Sequence, residues 1–300
     1  MAEYEEYLTF ALELAKKAGA MIREGQAERF RTLASPESKA SSVDLVTEVD
    51  RSVETYIKDS IHDRYPRHKF LGEETYAVDK KMKLTDEYTW IVDPIDGTTN
   101  PLVGCSIGLS YKKVPIVGVI NMPFLDQIYD PPLVQKVVLT PPLTSLIRPS
   151  VTSLDGGDRT PATMDPKQAT IRKLVGDAEA GGLFTHGVRT LGCSAANITA
   201  VATGGLDIYW DNGCYPWDVC AGMVIIQESG GYATTGDPKV YAKGNVDIGD
   251  AMMGRRYCFV RAIAATENES SKEKQERLVK ELLTHVTPWK TKSMAYLAEE

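Results

Sequence analysis

The sequence predicts an α/β or layered α+β fold, and three observations carry that expectation. The chain opens on helical periodicity, with Leu8, Ala11, Leu12, Ala15, Ala18 and Ile22 recurring at three- and four-residue steps. Short apolar runs bounded by turn residues follow at 88–92, 107–111 and 116–122, the signature of buried strands. Helical patterns then return, so that strands and helices intermix along the chain instead of segregating.

Each element has its own local reason. Glu13, Lys16, Lys17 and Arg23 fill the polar side of the first helix, and the stretch 35–42, rich in Ser and Pro, reads as a loop. A second helix is expected from Thr47, carrying Val49, Val53, Tyr56, Ile57 and Ile61 until Pro66 stops it. Lys69, Phe70 and Leu71 form a short strand leading into Gly72-Glu73-Glu74. The run 88–92 is a strand broken by Asp93-Pro94-Ile95-Asp96-Gly97, and Lys112-Lys113 lies near the turn between the next two strands. From Pro131 to Pro149, prolines flank two apolar runs that have no hairpin turn between them. Helices at 166–178, 194–203 and 216–229, a strand at 206–210, another at 257–263 and an amphipathic helix at 271–286 complete the chain. Gly204-Gly205 and Gly230-Gly231 stop the second and third of those helices.

Composition narrows the function classes. The 300 residues are 43% hydrophobic, 25% charged and 8% aromatic, which excludes wholesale disorder, a collagenous repeat and a disulfide scaffold. At ~150 residues per domain this length suggests two domains or one large one, with a division near residue 150. A net charge of −7 argues against sequence-independent nucleic-acid binding, and an anionic substrate would need some local attraction to offset it. The five cysteines are scattered with no C-x-x-C pair, which predicts buried free thiols in a reducing compartment. An acidic Met1–Glu6 and the lack of an apolar run of ~18 residues predict a soluble cytoplasmic protein with no membrane partner.

The densest chemical signal is Asp93-Pro94-Ile95-Asp96-Gly97-Thr98-Thr99, where a buried strand ends on one carboxylate and a second follows three residues later. Two aspartates that close repel each other unless a cation lies between them. The N–H groups of Gly97 and Thr98 can meanwhile face a phosphate oxygen. The competing reading is an Asp-Pro turn with an Asx cap, at roughly even odds for this motif alone. Glu73 and Glu74 follow a strand, whose alternation points one of them toward a site. Asp218, beside Pro216 at a helix start, is accounted for equally well by the helix dipole, and Asp50 by a capping box with Thr47. Taken together, these acids form an all-oxygen donor set without histidine, which suits Mg²⁺ or Mn²⁺ better than zinc or copper. Two such ions clamp an in-line displacement at phosphorus, and bound cations resolve the charge problem.

Three stretches carry a family resemblance: Gly72-Glu73-Glu74, then 90–100 (WIVDPIDGTTN), then Trp217-Asp218-Val219-Cys220-Ala221-Gly222 ahead of Glu228-Ser229-Gly230-Gly231. With 39–50, 187–197 and 201–207, they resemble the inositol monophosphatase family, Mg²⁺-dependent and lithium-sensitive sugar phosphatases. Gly254-Arg255-Arg256-Tyr257 and the closing helix look most like fungal members. The resemblance implies one α-β-α-β-α sugar-phosphatase domain over 1–300. A half at 1–150 would carry most metal ligands, and a half at 151–300 would complete the site. It further implies a homodimer that hydrolyses a phosphate monoester, most simply inositol monophosphate. By position, Glu73, Asp93 and the Ile95 carbonyl would hold one metal, and Asp93, Asp96 and Asp218 a second, with a weaker third near Glu73. Asp50 and Thr98 would orient and deprotonate the attacking water, with Glu73 beside them. Gly97 and Thr98 would grip the phosphate, Gly192, Cys193 and Ser194 would line the substrate, Asp211 would meet ring hydroxyls, and Lys39 would lie on a loop over the site.

Three departures from the family pattern stand out. Asp211 is one methylene shorter than the family's usual glutamate, and the chain between Asn100 and Ser106 is shorter than expected. Asp130-Pro131-Pro132 replaces a Gly-rich hairpin after the strand at 125–129. These predict a poorly ordered or altered stretch between Pro101 and Asp158. They also leave two other functions open, a phosphatase for another sugar or nucleotide phosphate and a catalytically weak regulatory relative.

Overall fold

Helices alternate with two five-stranded sheets in the computed structural model, which describes residues 4–34, 42–78, 84–98, 102–131, 150–152, 160–244 and 246–289. The first half of the chain runs α1 (Glu5–Ala34), α2 (Ser42–Arg64), β1 (Lys69–Gly72), α3 (Glu73–Val78), β2 (Thr89–Asp96), β3 (Gly104–Tyr111), β4 (Val114–Met122) and β5 (Gln127–Tyr129). It continues through β6 (Ser150–Thr152), α4 (Pro161–Val175), β7 (Gly187–Arg189), α5 (Ser194–Ala202), β8 (Ile208–Asn212) and α6 (Pro216–Glu228). The chain then passes through β9 (Tyr232–Thr235), α7 (Pro238–Tyr241), α8 (Ile248–Met253), β10 (Arg256–Val260) and α9 (Ser271–His285).

The first sheet has the order β1-β2-β3-β4-β5, with β1 parallel to β2 and the rest antiparallel. The second has the order β7-β6-β8-β10-β9, with β6 parallel to β7 and β8, and β10 antiparallel to β8 and β9. Three apolar clusters join the layers. One packs α1 and α2 on the first sheet through Phe10, Leu14, Ile57, Trp90 and Ile107. A second fills the space between the sheets with α5 and α6, through Ile91, Ile120, Ile198, Met223, Tyr209 and Phe259. A third seats α4 and α9 on the second sheet through Leu174, Trp210, Val260, Leu278 and Leu282. The result is the α-β-α-β-α arrangement.

A pair of glycines sets the position of α6. Gly108 and Gly118 are paired across β3 and β4. A Cβ on Gly118 would stand 2.2 Å from the Ala221 carbonyl oxygen, and one on Gly108 would stand 2.5 Å from Cys220 Sγ. The glycine pair therefore lets α6 lie directly on the first sheet, and Ser106 Oγ donates to the Trp217 carbonyl at 3.0 Å beside it. The Lys112-Lys113 turn joining β3 to β4 has positive φ at both residues (51° and 64°), the tight turn that matches strand twist.

Several expectations change. Helix α2 begins at Ser42 instead of Thr47. Glu73 and Glu74 open a helix instead of continuing a strand, and β2 runs through the Asp-Pro turn to Asp96. Helix α4 starts with Pro161 in its first turn, behind Thr160, and carries Pro166 inside. β3, β4 and β5 pair in sequence across 104–129 with one register shift between Leu109 and Ser110, where a poorly ordered stretch is expected. The proline-laced run 132–149 lies outside the described residues.

Candidate active site

Asp93 and Asp96 stand three residues apart, a spacing that in a regular strand would send them to opposite faces. A bulge prevents this: Asp93 pairs with Ser106 and Asp96 with Gly104, so β2 holds one extra residue between them. Both carboxylates are buried. Asp93 Oδ1 accepts the N–H of Ile95, itself buried, at 3.0 Å. Asp96 Oδ2 accepts the N–H of Ala195 and the Cys193 thiol, the latter at 3.3 Å. Cys193 is the N-cap of α5, so Asp96 rests on the start of that helix. Gly97 follows with φ of 84°, and a Cβ there would stand 2.8 Å from Cys193 Cβ and 3.0 Å from the Gly192 carbonyl. The turn after β2 and the turn before α5 thus meet backbone to backbone. Thr98 lies in that first turn, half-buried.

Asp218 reaches the same place from α6. It is the third residue of the helix, and its Oδ2 accepts the Tyr215 N–H at 2.7 Å in a capping box. Trp217 beside it stacks on Tyr215, 4.7 Å away, and meets Tyr76 of α3 at a tilt, 5.2 Å away. Glu73 comes from the first turn of α3 and Asp50 from the interior of α2, where it is 5% exposed. Asp50 is therefore no cap residue.

The charges that reach these acids are those of other acids. Burial raises the Asp93 carboxyl well above its usual range, and Glu73, Asp96 and Asp218 raise it further. Asp218 is raised by burial and by Asp96 and Glu73, although the Tyr215 N–H opposes this. Glu73 is pushed up to about 7 by burial, Asp96 and Glu74, with a hydrogen bond to Asp93 holding it down. Asp50 is pushed up to about 8 by burial and by Glu73, Glu74 and Glu54. Its Oδ1 is buried with no hydrogen-bond partner among the described residues.

The structure therefore brings Glu73, Asp93, Asp96 and Asp218 into mutual electrostatic reach, with Asp50 joined to them through Glu73. Asp211 lies on β8, 3% exposed, and its charge and that of Asp218 both act on the Cys214 thiol, whose burial is the larger influence. Ser194 Oγ lies 3.0 Å from Cys214 Sγ and accepts the Tyr209 hydroxyl at 3.2 Å, which joins the start of α5 to the Asp211 strand. Lys39 lies outside the described residues. Sequence reasoning missed Glu54, buried one turn after Asp50. The signal that could have found it is an acid at four-residue spacing on the face shared with Val53 and Ile57. All five cysteines are free thiols, and no helix among the described residues is long and apolar enough to cross a membrane.

Buried carboxylates without a cation are costly, and hard oxygen donors in this number fit a divalent ion. Among the described residues no three His, Cys, Asp or Glu side chains converge tightly enough to hold one as they stand. Asp93, Asp96 and Asp218 each accept a backbone N–H.

The model of the inositol monophosphatase family matches residues 3–287. Protein qutG of Emericella nidulans is 36% identical, and quinic acid degradation cluster protein x of Neurospora crassa 34%, each alignment covering 95% of this chain and 94% of the relative. Inositol monophosphatase 2 of Saccharomyces cerevisiae is 38% identical over 76% of this chain and 81% of its own. The solved inositol monophosphatase from Anabaena superposes with a TM-score of 0.67 at 26% identity, covering 96% of this chain and 98% of that one.

Proposed function

Because this chain belongs to the inositol monophosphatase family, whose members hydrolyse phosphoric monoesters, we propose that it releases phosphate from inositol monophosphate with Mg²⁺ as cofactor. The carrying observation is the cluster of buried Asp93 and Asp96 with half-buried Glu73 and Asp218, where Glu73, Asp93 and Asp218 are each raised by desolvation and by acidic neighbours. In this reading Glu73, Asp93 and the Ile95 carbonyl hold one ion, and Asp93, Asp96 and Asp218 a second. Bound there, the ions neutralise phosphate charge and supply Lewis-acid stabilisation to both the attacking and the leaving oxygen.

The chain's own groups do the rest. Asp50, whose buried Oδ1 has no hydrogen-bond partner among the described residues, accepts the proton of the attacking water, and the Thr98 hydroxyl fixes that water's orientation. The N–H groups of Gly97 and Thr98 face the phosphate, a role open to Gly97 because its positive φ brings the backbone to the surface of the turn. Gly192, Cys193 and Ser194 line the substrate, and Asp211 meets its ring hydroxyls. The ligands come from both halves of the chain, so each half alone is inactive. We assign the protein to the cytoplasm as a homodimer, a reading supported by its free thiols and by its family.

A second substrate reading has its own support. The two relatives aligned over 95% of this chain are not named for inositol, and one is named for quinic acid degradation. Asp211 is also shorter than the residue the resemblance leads one to expect. Both favour another polyol or sugar phosphate. Phosphate release from inositol monophosphate, other sugar phosphates and a nucleotide monophosphate, with and without Mg²⁺, separates the readings. Mg²⁺-dependent turnover is expected, fastest on inositol monophosphate. Faster turnover of another ester selects the second reading, and no Mg²⁺-dependent turnover of any overturns both.

A further inference from the structure

The proposed chemistry leaves one buried carboxylate beside the site without a role. Glu54 lies one turn beyond Asp50 on the same face of α2 and is 3% exposed. Its Oε2 accepts the N–H of Glu74 at 2.8 Å, and its Oε1 accepts the N–H of Thr75 at 2.6 Å together with the Thr75 hydroxyl. These are backbone donors of the first turn of α3, which have no partner within the helix. The approach is close: a Cβ on Gly72 would stand 2.5 Å from Glu54 Oε2, so only glycine there admits the carboxylate. Burial raises the Glu54 carboxyl above its usual range, and these donors, which reach both oxygens, oppose that rise.

The small size of α3 gives these bonds their importance. Six residues make too short a helix to hold itself by its own backbone bonds. Its first residue, Glu73, hydrogen-bonds to Asp93 and lies within reach of the Asp96 charge, so the placement of α3 decides where that carboxylate sits. We infer that Glu54 is a positioning residue that clamps α3 to α2, keeps Glu73 in register with Asp50, and thereby sets the affinity of the site for a divalent cation. This rests on the metal-holding role proposed above for Glu73. A hydrogen-bonded partner behind a ligand is commonly worth 10–100-fold in metal affinity, and here the partner acts through the backbone that carries the ligand.

The test is a Mg²⁺ titration of wild type, Glu54→Gln and Glu54→Ala followed by tryptophan fluorescence without substrate, with hydrolysis against Mg²⁺ concentration in parallel. Trp217 reports on the site because its ring packs against Tyr76 of α3, with centroids 5.2 Å apart. The half-saturating Mg²⁺ concentration is expected to rise about 10–100-fold in Glu54→Ala. It should rise less in Glu54→Gln, whose amide keeps one accepting oxygen, and saturating Mg²⁺ should restore most of kcat in both. If Glu54→Ala does not fold, Thr75→Val, which removes only the hydroxyl donor, should show a smaller rise of the same kind. An unchanged half-saturation in the folded variants overturns the inference, as does a loss of kcat that Mg²⁺ does not restore. Wild-type protein indifferent to Mg²⁺ by both readouts overturns the metal assignment itself, and this inference with it.

Discussion

Asp237 and Asp93 are acids beside tight turns of the same molecule, yet their surroundings differ in kind. Asp237 accepts the N–H groups of Lys239 and Val240 at 2.8 and 3.2 Å and pairs with Arg256. That arginine also reaches Asn212 and the Trp289 carbonyl. Burial alone would raise Asp237, but those donors outweigh it and its carboxyl titrates below the usual range. Asp93 has one turn N–H and three acidic neighbours, and burial and repulsion act on it in the same direction. Where an acid serves the fold, the chain supplies donors and a matched cation. In the site it supplies more acids, the imbalance that the proposed cations would offset.

The largest test of that contrast is Asp93→Asn. Losing a ligand shared by both proposed ions should lower Mg²⁺-dependent hydrolysis by more than ~100-fold, beyond the 10–100-fold typical of groups behind a ligand. The metal-free variant should melt no lower than metal-free wild type, because a buried repulsion has been removed. Phosphate release and thermal denaturation in chelator check both halves, and a variant with wild-type turnover would break the comparison.

Proton linkage provides the next test. Asp50 and Glu73 titrate near 8 and 7 in the fold, against ~4 in an unfolded chain. Between those limits the folded protein binds more protons than the unfolded one. The stability this gives is fully present below about pH 4 and is lost as pH rises through 7 and 8. Metal-free protein should therefore melt several degrees lower at pH 9 than at pH 6, with the loss reversed by Mg²⁺. Melting that rises over that range would show that the site acids are compensated within the chain.

What is legible in the sequence, and what is hidden there, obeys the same physics. Asp93-Pro94-Ile95-Asp96-Gly97 is legible because, taken with Asp50, Glu73 and Asp218, it completes an all-oxygen donor set that an Asp-Pro turn alone does not account for. Asp218 reads as a helix-start acid and is one. Strand alternation misplaces Glu73 because it carries past Gly72, where β1 ends and α3 begins at once. Asp50 resembles part of a cap because Thr47 precedes it. With no Gly or Pro between Ser42 and Thr47, the helix extends backward and buries Asp50 in its interior. β6, β7 and β9, at three to four residues, are too short to show a period. Glu54 is hidden because its role depends on the backbone of α3, which no local pattern in α2 announces.

The smallest effect is expected at the compensated acid. Asp237→Asn keeps an oxygen for the Lys239 and Val240 N–H groups, since asparagine caps helices as well as aspartate does. It therefore removes the charge pairing with Arg256 and little else. That side chain is 21% exposed, so solvent screens part of the interaction, and a cost of about 1 kcal/mol is expected, or ~2–4 °C in melting temperature. Mg²⁺-dependent hydrolysis should be unchanged. The pH dependence should run opposite to that of the site acids: because the folded carboxyl is depressed, its stabilisation is present above about pH 4 and vanishes as pH falls below it. Wild type and Asp237→Asn should then melt apart at pH 7 and together near pH 3. A gap that instead widened at low pH would place Asp237 among the uncompensated acids and remove the distinction between the two regions.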